Sequence, residues 1–280
     1  MLRKRSLDPA GGALDDTVTV TVEMDLFGEL VREDLDVPAE PTRPQRMLPV
    51  FQSLAETVVE RSVRRATAQG KSVSCRAGCA ACCRQLIPIS GAESHALRDL
   101  VEDLPEPRRT EIRARFAEAH RKLEEGGLVS KLLDLRWVKP GDLGALGSDY
   151  FQLAIDCPFL EAESCSIYPD RPIACREYLV TSPAERCAAP TPEAIDAVQL
   201  PGSVSNALSR IDDPRARREA SWVPLILAPQ WADAHPDQAA PRTGPALMGA
   251  FMERLAEPAG EQSRAPTATR SKKKRRDQKS

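Results

Sequence analysis

The run Ser74-Cys75-Arg76-Ala77-Gly78-Cys79-Ala80-Ala81-Cys82-Cys83-Arg84 places four thiols within nine residues. An α-helix turns about 100° per residue, so on a helix all four would share a stripe about 100° wide. Gly78 inside the run equally admits a tight turn, with the sulfurs converging on one ion. Either shape gathers thiolates that repel one another until a cation joins them. Zinc and iron–sulfur clusters are the groups that thiolate-rich sites favour. An isolated cysteine is ordinarily a small buried hydrophobe, but four so close together rarely are. A disulfide between adjacent Cys82 and Cys83 would be severely strained.

Four more cysteines follow: Cys157, Cys165, Cys175 and Cys187. Pro158, Pro169, Pro172 and Pro183 interrupt this stretch and make it loop-rich. Ligands on loops distant in sequence commonly complete a site begun by a short-spaced group. Arg76, Arg84, Arg171 and Arg176 lie near the cysteines, either offsetting the negative charge of a thiolate centre or simply exposed, as arginines usually are.

Working outward, Thr17 to Met24 alternates, with Val18, Val20, Val22 and Met24 on one face, and reads as a strand. Val37 to Pro44 reads as a Pro-rich linker. Met47, Phe51, Leu54 and Val58 recur at helical spacing over Arg46–Ala68, and Gly70 is the stop. Ser90 and Glu93 form a capping box for a helix over Gly91–Glu102. Further helices are expected over Glu106–Glu125, Leu128–Leu135, Glu193–Val198, Ser203–Ile211 and Ala246–Leu255. Residues 137–156 read as mixed, with Gly141, Gly144 and Gly147 marking loops. The expected fold is mainly α: a small helical domain with Cys-rich loops around a metal centre, plus a short N-terminal β element. Too few strands alternate with helices for a doubly wound sheet or barrel.

With 41% hydrophobic residues in 280, a packed core is within reach. No apolar stretch approaches the roughly 18 residues of a membrane helix, and no apolar segment follows Arg3, Lys4 and Arg5 to make a secretory signal. The expected location is therefore cytoplasmic, where thiols stay reduced. Residues 264–280 hold eight Lys or Arg against one Asp, and the chain's net charge of −2 leaves the rest at −2 − 7 = −9. An acidic body argues against nucleic acid as a partner except through the basic run Lys272-Lys273-Lys274-Arg275-Arg276. No aromatics interleave that run, so it reads first as a solvated tail. Gln69-Gly70-Lys71-Ser72 ends like a phosphate loop, but Arg65 stands where the first glycine is required. Asp15, Asp16, Asp34 and Asp36 read as solvated acids. His95, His120 and His235 are scattered, and Trp137, Trp222 and Trp231 read as packing anchors. Tyr168 lies between late cysteines, placed to cover the centre.

The run Ser74 to Arg84, with Ser90 to Glu93 after it, resembles the YkgJ-type cysteine-cluster family, described as zinc- or iron-chelating. Cys157-Pro158-Phe159-Leu160, Cys165-Ser166-Ile167-Tyr168 and Arg171-Pro172-Ile173-Ala174-Cys175-Arg176 resemble its second signature. The resemblance covers about residues 46–190. It implies Cys75, Cys79, Cys82, Cys83, Cys157, Cys165 and Cys175 as metal ligands, with an iron–sulfur cluster or zinc as the cofactor. The corresponding organisation is an N-terminal extension (1–45) with one strand and the linker, the cysteine-cluster domain (46–190), a helical extension (191–257) and a disordered basic tail (258–280). The expected function is cysteine-ligated metal binding, with the metal or cluster as the partner and no membrane insertion. Two alternatives stand beside it. The spacing Cys75-x3-Cys79-x2-Cys82 equals the signature of radical S-adenosylmethionine enzymes, and a related cysteine-rich region occurs in flagellin lysine methylases. An iron–sulfur enzyme of redox or methyl-transfer type is therefore one alternative. An interaction protein working through its basic tail is the other.

Overall fold

Apolar residues at every second position make one face of a strand, and the burial of Val22, Met24 and Leu26 follows that period. The strand β1 (Thr17–Leu26) turns at Phe27-Gly28 into a second strand, β2 (Glu29–Pro38). Both turn residues have positive φ, 63° and 85°, as a two-residue hairpin turn with the right twist requires. Asp25 Oδ1 accepts from the Gly28 N–H at 2.6 Å, and the Arg65 guanidinium covers the Phe27 ring at 4.5 Å. The sequence reading expected one strand here. β2 was hidden because Arg32, Glu33, Asp34 and Asp36 dilute its apolar positions with residues poorly suited to strands. Cross-strand bonds from Thr19 to Asp36 (2.7 Å) and from Thr21 to Asp34 (2.6 Å) use the two acids on the exposed face.

The computed structural model describes residues 16–76, 78–133, 143–188, 194–211, 222–237 and 239–257. After β2 a 3-10 turn (Pro44–Met47) leads into α1 (Leu48–Ala68), then come β3 (Pro88–Ile89), α2 (Gly91–Glu102), α3 (Arg108–Glu125), α4 (Val129–Leu133) and α5 (Leu143–Gln152). The second cysteine stretch carries β4 (Leu160–Glu161), β5 (Ser164–Cys165) and α6 (Ile173–Glu177). The chain continues through α7 (Val204–Ile211), β6 (Val223–Pro224), α8 (Ala228–Ala234) and α9 (Gly244–Ala256). The fold is mainly helical with a short N-terminal hairpin. The remaining strands form two small antiparallel pairs, β3 with β6 and β4 with β5.

Several expectations need correction. Leu143–Gln152 is a helix although Gly144 and Gly147 lie in it; no atom stands within 4 Å of where either Cβ would be, so these glycines do not serve close packing. The loop-rich stretch contains α6, whose start at Pro172-Ile173 uses proline where the missing N–H costs nothing. No helix covers residues 194–198. Ala197 instead makes a β-bridge with Val180, and the Thr181 N–H and Val198 N–H bond across the same ladder at 2.8 Å each. The reading of residues 1–15, of Trp137 and of the basic tail falls outside the described residues.

One core joins the hairpin to α1, α7 and α9, with Phe51 and Phe251 at 4.6 Å between ring centroids. Ile173 of α6 is buried in this core. A second core holds Ile89, Leu97, Ile112, Phe116 and Phe159, and Cys157 and Cys165 pack against it. The cysteine-bearing segments are thus fastened to two apolar masses. Gly244, the first residue of α9, lets that helix approach β2: a Cβ there would stand 2.5 Å from the Pro38 carbonyl oxygen and 2.7 Å from Val37 Cβ. Neither neighbour can swing away. Gly244→Ala is expected to destabilise by about 1–3 kcal/mol, the usual penalty for overpacking, measured by urea unfolding. An unchanged midpoint would show that the contact relaxes freely.

Candidate metal centre

Helix α1 stops at Gly70, whose φ of 76° permits the Lys71 N–H to bond back to Ala66 O at 3.0 Å. The chain then runs without helix or strand to the first thiols. Ser74 N–H donates to Val180 O at 2.9 Å, and Val180 N–H points at Cys75 Sγ at 3.4 Å. Gly78, at φ 81°, turns the backbone, and Cys79 N–H bonds to Arg76 O at 3.0 Å. Cys82 and Cys83 then fall in a 3-10 turn, Ala81–Arg84. Of the two shapes the spacing admits, the chain takes the turn.

The second group is delivered to the same place. Cys157 N–H donates to Cys83 O at 2.8 Å, joining the two groups through the backbone. Cys165 lies on β5, paired in register with Leu160, across a turn in which Ala162 and Glu163 both have positive φ. Arg84 clasps this arrangement from outside: its guanidinium meets Glu163 at 2.7 and 3.1 Å and Asp156 at 2.8 Å. It therefore binds carboxylates that flank the second group rather than offsetting thiolate charge.

Cys175 rides on α6, and three polar anchors hold that short helix. Glu93 Oε1 accepts from Ile173 N–H at 2.7 Å, while its Oε2 accepts from Ser90 N–H and Oγ at 2.9 Å each. The capping box of α2 thus also grips α6. Arg176, buried, pairs with Glu56 of α1 at 2.7 Å. Glu177, also buried, caps α7 by accepting from the backbone N–H groups of Val204 (2.5 Å) and Ser205 (3.2 Å). Cys187, in the 3-10 turn Ala184–Ala188, is 4% exposed. Gln85 Nε2 bonds to its carbonyl at 3.2 Å.

Electrostatics ties these thiols together. Burial pushes Cys157 up to about 12 and Cys187 up to about 11, and it likewise raises Cys75, Cys165 and Cys175. Cys82 moves the other way because the Cys83 thiol hydrogen-bonds to it; Cys83 is raised by the same bond. Charge on Cys82 raises each of Cys75, Cys83, Cys157, Cys165, Cys175 and Cys187. Arg171 lowers Cys75, Cys82 and Cys165, and its buried Nε has no hydrogen-bond partner among the described residues. Of the four arginines, it is the one whose charge favours the thiolates on both sides. Tyr168 is 51% exposed and lies under the Arg171 guanidinium at 4.0 Å, so it shields the arginine.

Among the described residues no three His, Cys, Asp or Glu side chains are already drawn into a set that would hold an ion. The donor chemistry nevertheless fits a soft cation. The Cys157–Cys83 backbone bond brings one member of each group together, burial raises most of the thiols, and a coordinating cation deprotonates a thiol outright. Sequence reasoning left Cys187 out because nothing in its spacing ties it to the first group; it is buried, and Gln85, next to the first group's turn, bonds to its carbonyl. It also missed Glu93 as a tether, since a capping box explains that residue without any distant partner. His95 and His235 pack on Trp231, at 5.7 and 4.6 Å between ring centroids, as packing residues do.

Arg84→Ala removes the clasp over β4 and β5. These pairs are largely exposed, so the stability loss should stay within about 1 kcal/mol. If the site holds a metal, its retention against a chelator should nevertheless fall by roughly 10-fold, the effect typical of groups that position ligands. Equal release rates for variant and parent protein would remove Arg84 from the centre.

The helical fold thus joins the two distant cysteine groups through the backbone of Cys157 and Cys83. Residues 74–191, less than half of the chain, match the family model CxxCxxCC, whose description is "Putative zinc- or iron-chelating domain". This is the family that the cysteine motifs resemble, and the matched segment encloses all eight cysteines. The family's name writes two residues between its first cysteines, where this chain has three: Arg76, Ala77 and Gly78. No curated protein and no solved structure matches the chain. No helix among the described residues is long and apolar enough to cross a membrane.

Proposed function

We propose that the protein binds zinc or an iron–sulfur cluster through thiolates contributed by both cysteine groups. The observation that carries this reading is the 2.8 Å bond from Cys157 N–H to Cys83 O, which joins segments separated by most of the matched domain. Cys75, Cys79, Cys82, Cys83, Cys157, Cys165 and Cys175 are the proposed donors, and the burial of Cys187 beside the first group adds it as an eighth. Eight thiols are enough for two four-thiolate centres. Bound zinc would crosslink loops that otherwise depend on Arg84 and the α6 anchors; a cluster would add electron transfer.

The test is anaerobic purification of the full chain followed by metal and acid-labile sulfide analysis. Iron with equimolar sulfide and a broad brown absorption identifies a cluster, and colourless protein with stoichiometric zinc identifies a zinc centre. Protein that takes up neither metal under oxygen-free conditions would overturn the proposal.

A further inference from the structure

A cleft of about 340 Å³ opens beside the thiols, with Cys82 and Cys175 in its wall. The rest of the wall is mostly hydrocarbon: Leu86, Ile87, Leu179, Val198 and Leu200 line it. Its polar groups are already engaged. Gln85 donates to the Cys187 carbonyl, and the Tyr178 hydroxyl is hydrogen-bonded to Gln85. The Glu177 carboxylate is saturated by Val204 N–H together with the N–H and Oγ of Ser205. A charged ligand would find no free counter-charge among these lining residues, and desolvating it there would be costly. The volume lies at the lower end of small-molecule pockets, about 300–1,000 Å³, too small for a helix of a protein partner.

We propose that this cleft binds an uncharged, largely hydrocarbon small molecule, seated against Cys82 and Cys175. The site rests on the metal reading only in one respect: the ligand then lies at the edge of the centre and governs how much water reaches it. Hydrocarbon around a thiolate centre lowers the local dielectric and controls solvent access. An occupant would therefore change the centre's properties without being a metal ligand. Ala197 is exposed at the mouth and Leu179 is partly buried in the wall, so each can be altered without opening a core.

The experiment titrates the full-length protein with N-phenyl-1-naphthylamine, a neutral apolar probe that fluoresces when sheltered from water. Cobalt(II) uptake and its thiolate charge-transfer band are followed separately. Saturable binding of one probe per chain is expected. Ala197→Trp, which caps the mouth, and Leu179→Gln, which makes the wall polar, should each weaken it at least 10-fold while leaving cobalt uptake unchanged. Probe binding should also shift the cobalt band. If cobalt is bound normally but the probe does not saturate, or neither variant weakens it, the cleft proposal fails and the metal reading stands. Probe binding with the expected variant effects but no cobalt uptake sinks the zinc form of the metal reading and leaves an apolar ligand site. A cobalt band unmoved by saturating probe rules out contact between ligand and centre.

Discussion

Cys82→Ser is expected to weaken zinc binding on the order of 100-fold. A hydroxyl is a poor donor for a soft cation. Cys82 stands in the 3-10 turn Ala81–Arg84 beside Cys83, whose carbonyl takes the Cys157 N–H, so it lies where the two cysteine groups meet. Structural zinc sites contribute on the order of 10–16 kcal/mol through four ligands. Losing one thiolate should then cost roughly 3 kcal/mol, on the order of a 100-fold weaker affinity. Ala81→Ser, in the same 3-10 turn, is the control and should retain full metal content. Competition of zinc against a chromophoric chelator measures both variants. Cys82→Ser with the parent protein's zinc affinity would remove Cys82 from the donors.

How far the sequence could be read depended on where its signals were local. The helix Gly91–Glu102 was legible to the residue because Ser90 and Glu93 cap it within four residues of chain. The stop at Gly70 and the alternation of β1 were legible for the same reason. β2 was not, because its register is imposed by β1: Val31 and Val37 are buried by pairing and by the helices behind them, while the charges between them face outward or to α1. Glu33, for instance, accepts from Thr57 Oγ1 at 3.4 Å. The bridge at Ala197 was invisible because its partner, Val180, lies outside any local window. The cysteine constellation divides in the same way. Spacing pointed to a thiol site, but only the three-dimensional neighbourhood could choose the turn over the helix, bury Cys187 beside Gln85, and give Arg84 and Arg171 different partners.

Glu93→Ala is expected to cause the largest loss of stability, together with weaker metal retention. One buried carboxylate serves two helices: Oε2 closes the α2 capping box and Oε1 takes the Ile173 N–H that opens α6. Removing it leaves the Ser90 and Ile173 donors without an acceptor in a site that water does not reach, since Ser90 is 1% exposed and Ile173 is fully buried. Each orphaned donor costs about 1–3 kcal/mol, and a lost helix cap about 1 kcal/mol, so a total of roughly 3 kcal/mol is expected. For a chain of this size that corresponds to a fall in midpoint of about 6–12 °C. Glu93→Gln separates the two duties. Its single carbonyl oxygen can keep the cap or the α6 tether but not both, so about half the loss should remain. Because Cys175 sits two residues beyond Ile173 on the same short helix, loosening the tether should also speed zinc release, whereas Gly244→Ala, which strains a distant helix, should not. Thermal unfolding and chelator-driven release, measured on the three variants together, decide between a tether that positions Cys175 and a carboxylate that merely stabilises the fold: equal release rates for Glu93→Ala and Gly244→Ala at matched stability would leave only the second.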